Sequence, residues 1–215
     1  RFTGMLRDIT ERKAVENLQS EFVSTVSHEL RTPLTAIRGA LGLIAAGATG
    51  ALLPETREYV DIAASNSERL MRLINDLPDI EKVQSGRMVF EMQPTELRAV
   101  VTAAVSANRA LTASNAARLT MPRALDPGFG SADPDRLGQV LANLLSNAVK
   151  FSPPGSCVEI GVERVEERMR VSVRDHGPGI PDEFHSRIFQ RFAQADGSST
   201  RSKGGTGLGL SISRA

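Results

Sequence analysis

At residues 27–34 the sequence reads Ser27-His28-Glu29-Leu30-Arg31-Thr32-Pro33-Leu34. Apolar residues recur every three or four positions around this octet, as they do in an amphipathic helix that packs on one face. They are Val15, Leu18, Phe22, Val26, Leu30, Ile37, Leu41 and Ile44. His28 follows Val26 by two positions, which places its ring roughly 200° around the helix from the apolar stripe. The pattern predicts one long helix that holds this imidazole in water.

The neighbours of His28 indicate a reacting group. Glu29 can accept the Nδ1 proton and leave Nε2 with a free lone pair for attack on an electrophile. Pro33 has no N–H for the Glu29 carbonyl, and its ring crowds that carbonyl, so we expect a bend one turn after His28. On these residues alone, a surface histidine in a helix that happens to contain proline is the alternative.

The region after the octet predicts a helical hairpin. The first helix is expected to end near Ala46, with a turn at 47–50 and a second helix that opens at Pro54. The second helix has its own stripe, at Tyr59, Ile62, Asn66, Leu70, Leu73, Leu77 and Ile80. Gly86 is its predicted C-cap, and Pro78 is expected to kink or fray the helix near Ile74. Two helices bury little surface, so the pattern favours a dimeric four-helix bundle.

Composition is that of an ordinary soluble protein of one or two domains. The 215 residues are 40% hydrophobic and 24% charged, with a net charge of +1. With no Trp and one Tyr, we expect no nucleic-acid partner, because base stacking needs aromatic side chains. The single cysteine, Cys157, excludes an internal disulfide and a thiolate metal cluster. The apolar runs are too short for a membrane span and Arg1 does not open a signal peptide, so a cytoplasmic location is expected.

From Met88 onward the pattern changes to alternating strands and helices, which is typical of an α+β layer. The predicted strands cover residues 88–92, 118–121, 126–130, 157–165 and 169–175. Helices are predicted at 95–111 and 133–151, the second capped by Asp133 with Pro134 in its first turn. The last two strands are expected to form a hairpin.

The helix at 133–151 carries a polar face. Asn143, Asn147 and Lys150 lie at i, i+4 and i+7, which puts them on one side of a helix. Two amide oxygens and an ammonium group can grip Mg²⁺ and a phosphate together, because Mg²⁺ prefers hard oxygen ligands and keeps several waters. The alternative is a helix with Asn on its solvated side.

Two glycine-rich turns offer a nucleotide site. At 175–180 the chain reads Asp-His-Gly-Pro-Gly-Ile after a predicted strand; a carboxylate there can accept from an exocyclic amine, and glycines let a planar base approach the backbone. At 204–210 glycines lead into a helix, whose N–H groups suit a phosphate. The positions concerned are Gly177, Gly179, Gly205, Gly207, Leu208 and Gly209. Between the turns lie an aromatic pair, Phe189 and Phe192, and a polar stretch at 195–203 that suits a lid.

Taken together, these motifs resemble the sensor histidine kinases of two-component signalling. The octet matches the H box of that family, residues 143–151 the N box, 189–192 the F box, and 175–179 and 204–209 the two G boxes. The resemblance covers about residues 14–215. It implies an antiparallel helical hairpin that forms a dimeric four-helix bundle, followed by an α/β sandwich ATP-binding domain of the Bergerat type.

The resemblance also implies domain bounds. Residues 1–13 look like the end of a PAS sensor domain and its signalling linker, and 14–86 like the dimerisation and histidine-phosphotransfer hairpin. Residues 87–215 look like the catalytic ATP-binding domain, without its final strands. The implied partners are a second copy of the chain, the upstream PAS-type sensor domain and the receiver domain of a response regulator.

The implied activity is autophosphorylation of His28 by ATP and transfer of the phosphoryl group to an aspartate of the regulator. Glu29 matches the acid that orients and activates the ring, and Thr32 matches the position that orients water for phosphatase action on the regulator. The implied cofactors are ATP and Mg²⁺. Asn143 and Asn147 match the Mg²⁺-phosphate residues and Lys150 the phosphate-binding lysine. Asp175 matches the adenine-reading aspartate, and three cations are plausible phosphate contacts: Arg191, Arg201 and Lys203.

Three alternatives compete with this interpretation. Type II topoisomerase and mismatch-repair ATPases share the Asn and Gly clusters but do not need the octet and its hairpin, so His28 decides against them. A non-catalytic dimerisation and signalling module is the rival if Pro78 or the missing strands disable transfer. A phosphatase-dominant version stays open, because Glu29 and Thr32 are both present.

Overall fold

A computed structural model describes residues 10–109, 117–121, 128–194 and 205–214 of the chain. It divides into two compact units, Arg1–Met88 and Val89–Ala215. Residues 1–9 of the predicted PAS tail lie outside the described residues. None of the helices in the described ranges has a stretch long and apolar enough to span a membrane.

The first unit is a helical hairpin of α1 (Thr10–Ala45) and α2 (Pro54–Gln84). Three contacts show that the helices are antiparallel, because their partners run in opposite directions along the chain. The Ser20 hydroxyl donates to Glu81 at 2.6 Å, Arg31 Nε donates to Asn75 Oδ1 at 3.1 Å, and Arg57 lies 3.5 Å from the carbonyl oxygen of Ala45. The predicted hairpin is confirmed.

Glycine ends both helices, as the sequence predicts. Gly86 has a φ of +65°, and its N–H bonds to the carbonyl of Val83 at 3.3 Å, while that of Arg87 bonds to the carbonyl of Lys82 at 2.9 Å. This pair of bonds satisfies carbonyls that have no partner further along the helix. Gly47, with a φ of +82°, ends α1 in the same way.

Pro33 and Pro78 both lie inside helices. α1 continues through Pro33 and α2 through Pro78, so the bend expected after His28 stays a prediction. The expected fraying of α2 is wrong, because the helix continues to Gln84, and the kink near Ile74 stays a prediction. Ile74 and Ile80, on either side of Pro78, are both buried, and this packing offsets the carbonyl bond that the proline removes.

The second unit combines two short sheets with three α-helices over its described residues. In chain order the elements are β1 (Gln93–Glu96), α3 (Leu97–Ala107), β2 (Arg118–Thr120), β3 (Phe129–Ala132), α4 (Pro134–Phe151), β4 (Cys157–Val165), β5 (Arg168–Arg174), a 3₁₀ turn (Asp182–Phe184) and α5 (Gly209–Arg214). β1 and β3 pair antiparallel. In the other sheet β4 is central, parallel to β2 and antiparallel to β5.

The core of this unit lies between helices α3 and α4 and the three-stranded sheet. Alternate residues of β4 are buried, Val158, Ile160 and Val162, as are Leu141 and Leu145 one turn apart on α4. Alternation on the strand and a spacing of four on the helix bring the two apolar faces together. The predicted fold, a helical hairpin followed by an α/β sandwich, is confirmed.

The prediction of a strand at 88–92 is wrong. Val89, Phe90 and Met92 are exposed, and the strand begins instead at Gln93. Thr95 sets this register, because its buried hydroxyl donates to the carbonyl of Ala132 on β3 at 3.1 Å. The third predicted strand, at 126–130, is seen at Phe129–Ala132, and residues 126 and 127 lie outside the described residues.

Asp133 caps α4 as predicted. Its Oδ1 accepts from the N–H groups of Asp135 and Arg136, both at 3.1 Å, and its Oδ2 accepts from the N–H of Glu91 at 2.9 Å. These bonds favour the charged carboxylate and lower the pKa of Asp133 from its ordinary value of 3.8, with the bonds from Arg136 and Glu91 contributing most. Asp133 therefore fixes both the start of α4 and the segment that leads into β1.

Candidate functional site: a histidine face and a glycine-lined nucleotide cleft

The predicted reacting group, His28, is exposed on α1. The residue before it is buried: Ser27 is 1% exposed, and its hydroxyl bonds back to the carbonyl of Val23 at 2.7 Å. Leu34, near the other end of the octet, is buried against Met71 and Ile74 of α2. Anchoring on both sides fixes the helix face, so His28 is presented to solvent as the sequence predicts.

The ring of His28 is bound differently from the prediction. Among the described side chains, Nδ1 is paired with Arg31 Nη1, at 3.3 Å, rather than with Glu29. Consecutive helical residues point about 100° apart, whereas residues three apart share a face. Glu29 and Thr32 are both exposed, and their roles stay predictions. Sequence reasoning missed Arg31, although its i+3 spacing was visible, and Asn75, whose contact with Arg31 depends on hairpin register.

The polar face of α4 meets the last helix. Asn143 Nδ2 donates to the carbonyl of Gly209 at 3.3 Å and to the Ser213 hydroxyl at 3.4 Å. Asn147 is half-buried on the next turn. Lys150 Nζ lies 4.5 Å from the centroid of the Phe151 ring. The predicted Asn-Asn-Lys face therefore exists, with its first amide nitrogen bonded to α5.

The first glycine turn packs against the end of α4. Asp175 Oδ1 accepts the N–H of Gly177 at 2.7 Å, and the residue is exposed. A Cβ on Gly177 would lie 2.8 Å from that oxygen and 3.0 Å from the carbonyl oxygen of Phe151. Gly179 follows with a φ of +77°. The turn thus holds a carboxylate and bare backbone together, which is the arrangement expected for reading an adenine edge.

The second glycine cluster packs against α4 and the aromatic pair. A Cβ on Gly205 would lie 2.9 Å from Lys150 Nζ, and one on Gly209 would lie 3.1 Å from Asn143 Oδ1. Gly207 has a φ of +72°, and its missing Cβ would come within 2.8 Å of the Phe192 backbone. Gly207 therefore requires glycine, whereas a side chain at Gly205 or Gly209 would only displace the end of Lys150 or the Asn143 amide. Leu208 as a whole is 1% exposed, and its N–H donates to the Thr206 hydroxyl at 3.3 Å.

Two hydrogen bonds join residues 192–194 to residues 205–207. The Phe192 N–H donates to the carbonyl of Gly207 at 2.9 Å, and Gln194 Nε2 donates to the carbonyl of Gly205 at 2.8 Å. Phe192 has a φ of +58°, an uncommon conformation for a bulky residue. Sequence reasoning missed Gln194. Arg191 is exposed, while Arg201 and Lys203 lie outside the described residues.

This arrangement suits a nucleotide with a hard cation. α4 contacts both glycine turns, through Phe151 and through Asn143 and Lys150. Within the described residues, no group of three or more His, Cys, Asp or Glu side chains could hold a metal ion, so a site built on those side chains is not seen there. The oxygen donors at hand are amide oxygens, which fit Mg²⁺ because that ion takes few protein ligands and completes its shell with phosphate and water.

Comparison with known proteins identifies both units. Residues 132–215 match the family model of the histidine kinase-, DNA gyrase B- and HSP90-like ATPases, and residues 18–86 match the His Kinase A (phospho-acceptor) domain. The chain is 36% identical over 219 residues to hybrid signal transduction histidine kinase D of Dictyostelium discoideum, covering 96% of this chain and 14% of that protein. It is 36% identical over 204 residues to the circadian input-output histidine kinase CikA of Synechococcus elongatus, covering 94% and 27%.

A solved structure resembles most of the chain. The crystal structure of full-length ShkA in complex with AMPPNP is 28% identical, with a TM-score of 0.65, and the match covers 89% of this chain and 39% of that one. The chain thus spans less than a third of the length of the two curated relatives. Gyrase-like and HSP90-like ATPases share the second matched domain. Because a phospho-acceptor domain precedes the ATPase domain here, the resemblance seen in the sequence is confirmed, and this chain belongs to the sensor histidine kinases.

Proposed function

We propose that this chain is the kinase core of a two-component sensor, which phosphorylates His28 from ATP and passes the phosphoryl group to an aspartate of a response regulator. The observation that carries the proposal is that one chain contains both an exposed imidazole on α1 and, in its second unit, two glycine turns packed on the helix that carries Asn143 and Lys150. Residues 14–86 would serve as the phospho-acceptor hairpin and 87–215 as the ATP-binding domain. A PAS-type sensor would act upstream of them.

Nucleotide binding would use the two glycine turns and the polar face of α4. Asp175 would accept from the adenine amine, with Gly177 allowing the base to approach the backbone. Asn143 and Asn147 would hold Mg²⁺, which supplies neutralisation of phosphate charge when bound. Lys150 would contact phosphate from the same face. Three further cations, Arg191, Arg201 and Lys203, are proposed as phosphate contacts.

The chemical step uses the lone pair of His28 Nε2. A bond forms between Nε2 and the γ-phosphorus as the bond from that phosphorus to the β,γ-bridging oxygen breaks, and ADP leaves with the electron pair. Glu29 would accept the hydrogen bond of Nδ1–H and so stabilise positive charge on the ring. Holding the ring in line with the phosphoryl group removes much of the entropic barrier. Thr32, four residues further along α1, would orient water for the reverse action on the regulator.

Dimerisation follows from the apolar residues that the single hairpin leaves exposed. Val15, Leu18 and Phe22 of α1 are 63%, 66% and 67% exposed, and Tyr59 and Ile62 of α2 are 74% and 51% exposed. They belong to the two stripes that the sequence places at helical spacing. The two groups lie at opposite ends of the antiparallel hairpin, and Leu30, Ile37 and Leu70 are also exposed between them. Apolar surface along the whole hairpin favours a partner. A second copy of the hairpin presents the same stripes and would complete a four-helix bundle.

The proposal is tested by incubating the full chain with γ-labelled ATP and Mg²⁺. Label should appear on the protein, survive base and be lost in acid, and it should be absent from His28→Gln. His185→Gln is the matched control, since His185 is also exposed but lies beside the 3₁₀ turn. Acid-stable label, or label that persists in His28→Gln, would contradict the assignment of His28.

A further inference from the structure

In the contact between His28 and Arg31, only the arginine can be the hydrogen-bond donor. Arg31 Nη1 lies 3.3 Å from His28 Nδ1. A guanidinium group has five N–H donors and no acceptor, so this pair is a hydrogen bond only when Nδ1 carries no proton. In a neutral imidazole the proton then lies on Nε2. The geometry therefore assigns the Nε2–H tautomer to His28.

This tautomer is the unreactive one for the proposed phosphorylation. Attack on phosphorus by Nε2 needs a lone pair in the plane of the ring, and in the Nε2–H form that position is taken by the proton. Glu29 could stabilise the reactive form only by accepting a proton on Nδ1. Arg31 and Glu29 thus compete for the same ring nitrogen, and in the structure Arg31 is the residue within hydrogen-bond distance of it.

The other helix holds Arg31 in place. Its Nε donates to Asn75 Oδ1 on α2 at 3.1 Å, so one guanidinium bridges α2 and His28. Arg31 is half-buried, whereas His28 and Asn75 are exposed. A planar guanidinium presents its donors in a fixed fork. A shift of α2 along or around α1 would therefore carry the second donor away from the ring.

We propose that Arg31, anchored on Asn75, is a positioning residue that holds His28 in the Nε2–H tautomer and so restrains autophosphorylation until α1 and α2 shift. The tautomer follows from the two contacts alone. The restraint on the reaction rests on the proposed function, because it takes Nε2 as the attacking atom. This restraint would act within the helical hairpin and would need no change at the two glycine turns.

The tautomer can be read by nitrogen NMR of the full chain labelled with ¹⁵N-histidine. The His28 signals are identified by their loss in His28→Gln, at about pH 8.5, where an ordinary imidazole is neutral. The variants are Arg31→Met, which keeps the length and removes the donors, and Asn75→Ala, which removes the anchor. Arg38→Met is the matched control, an exposed arginine on the same helix. Circular dichroism confirms that each variant keeps its helices.

We expect unprotonated Nδ1 to predominate in the wild type. In Arg31→Met the tautomer ratio should move about fivefold toward Nδ1–H, equivalent to about 1 kcal/mol, and Asn75→Ala should move it in the same direction by less. The initial rate of His28 labelling should rise by a similar factor in Arg31→Met, because it follows the population of the reactive tautomer. Arg38→Met should change neither quantity.

An unchanged ratio in Arg31→Met, or predominant Nδ1–H in the wild type, would overturn the assignment. A ratio that moves while labelling does not rise would overturn the restraint and give Arg31 another part in the reaction. If the wild-type chain takes no label at all, the proposed function fails, whereas the NMR ratio still decides whether Arg31 holds the tautomer.

Discussion

Replacing Gly177 by alanine tests the adenine-reading turn through a single added carbon. The backbone of Gly177 does not have a positive φ, so the substitution introduces no torsional strain, and its whole effect comes from contacts. The new Cβ would lie 2.8 Å from Asp175 Oδ1, 3.0 Å from the Phe151 carbonyl oxygen and 3.3 Å from its carbon. The carboxylate must swing away, and the turn must also move off the end of α4 by a few tenths of an ångström.

These contacts set the expected magnitudes. Moving the carboxylate breaks the hydrogen bond from the Gly177 N–H, which contributes about 1 kcal/mol to folding stability. With the close contact to Phe151 added, we expect the free energy of unfolding to fall by about 1–2 kcal/mol in total. Nucleotide affinity should fall further, because Asp175 no longer meets the adenine amine. A hydrogen bond to a charged group is worth about 1.5–3 kcal/mol, so Kd for ATP should rise about 10- to 100-fold.

The measurement is ATP titration by calorimetry, with urea unfolding to follow stability. Gly138→Ala is the matched control: Gly138 lies on α4, and a Cβ there would meet nothing within 4 Å. It should stabilise the helix by up to about 1 kcal/mol and leave the ATP affinity unchanged. The reasoning is refuted if folded Gly177→Ala binds ATP as tightly as the wild type, or if Gly138→Ala weakens binding to the same extent.

Three other substitutions separate the remaining roles. Thr32→Ala should keep autophosphorylation and slow dephosphorylation of the regulator, as followed by phosphate release; equal loss of both would contradict this division. Phe22→Asp places a charge at a position that is 67% exposed in the single hairpin, and light scattering should show the dimer giving way to monomer. Asp133→Asn tests the cap of α4. Because its folded-state pKa is lowered from 3.8, the carboxylate adds stability that is complete above that pH and is lost as the pH falls through the folded pKa. Urea midpoints of the wild type should fall more steeply than those of the variant between about pH 5 and pH 2.5, and parallel curves would exclude the cap as the cause.

The elements that the sequence predicted well are those whose signals are local. α4 begins as predicted because Asp133 and Pro134 act on the first turn that follows them. Gly86 ends α2 because the left-handed conformation after a helix favours glycine. The hairpin of β4 and β5 follows from two apolar-rich runs separated by a short turn, and it needs no information from elsewhere in the chain.

The features that the sequence missed depend on register between distant segments. Residues 88–92 read as a strand, but a strand needs a partner, and β3 pairs instead with Gln93–Glu96. Asn143 reads as a free ligand, yet its amide bonds to Gly209, 66 residues away. Asn75 carries no motif at all, and only the antiparallel register of the hairpin brings it to Arg31. Such contacts follow from packing, which periodicity alone does not determine.

The contacts proposed to control phosphoryl acceptance and nucleotide binding lie in different units of the chain. The bonds that join His28, Arg31 and Asn75 lie wholly within the first unit, and the close approaches at Gly177 lie wholly within the second. Arg31→Met should therefore change the His28 tautomer ratio and leave the ATP Kd unaltered, while Gly177→Ala should do the reverse. Sites without shared partners are expected to act additively. If Arg31→Met changed the ATP affinity, or Gly177→Ala moved the tautomer ratio, the restraint on His28 would have to include the nucleotide cleft.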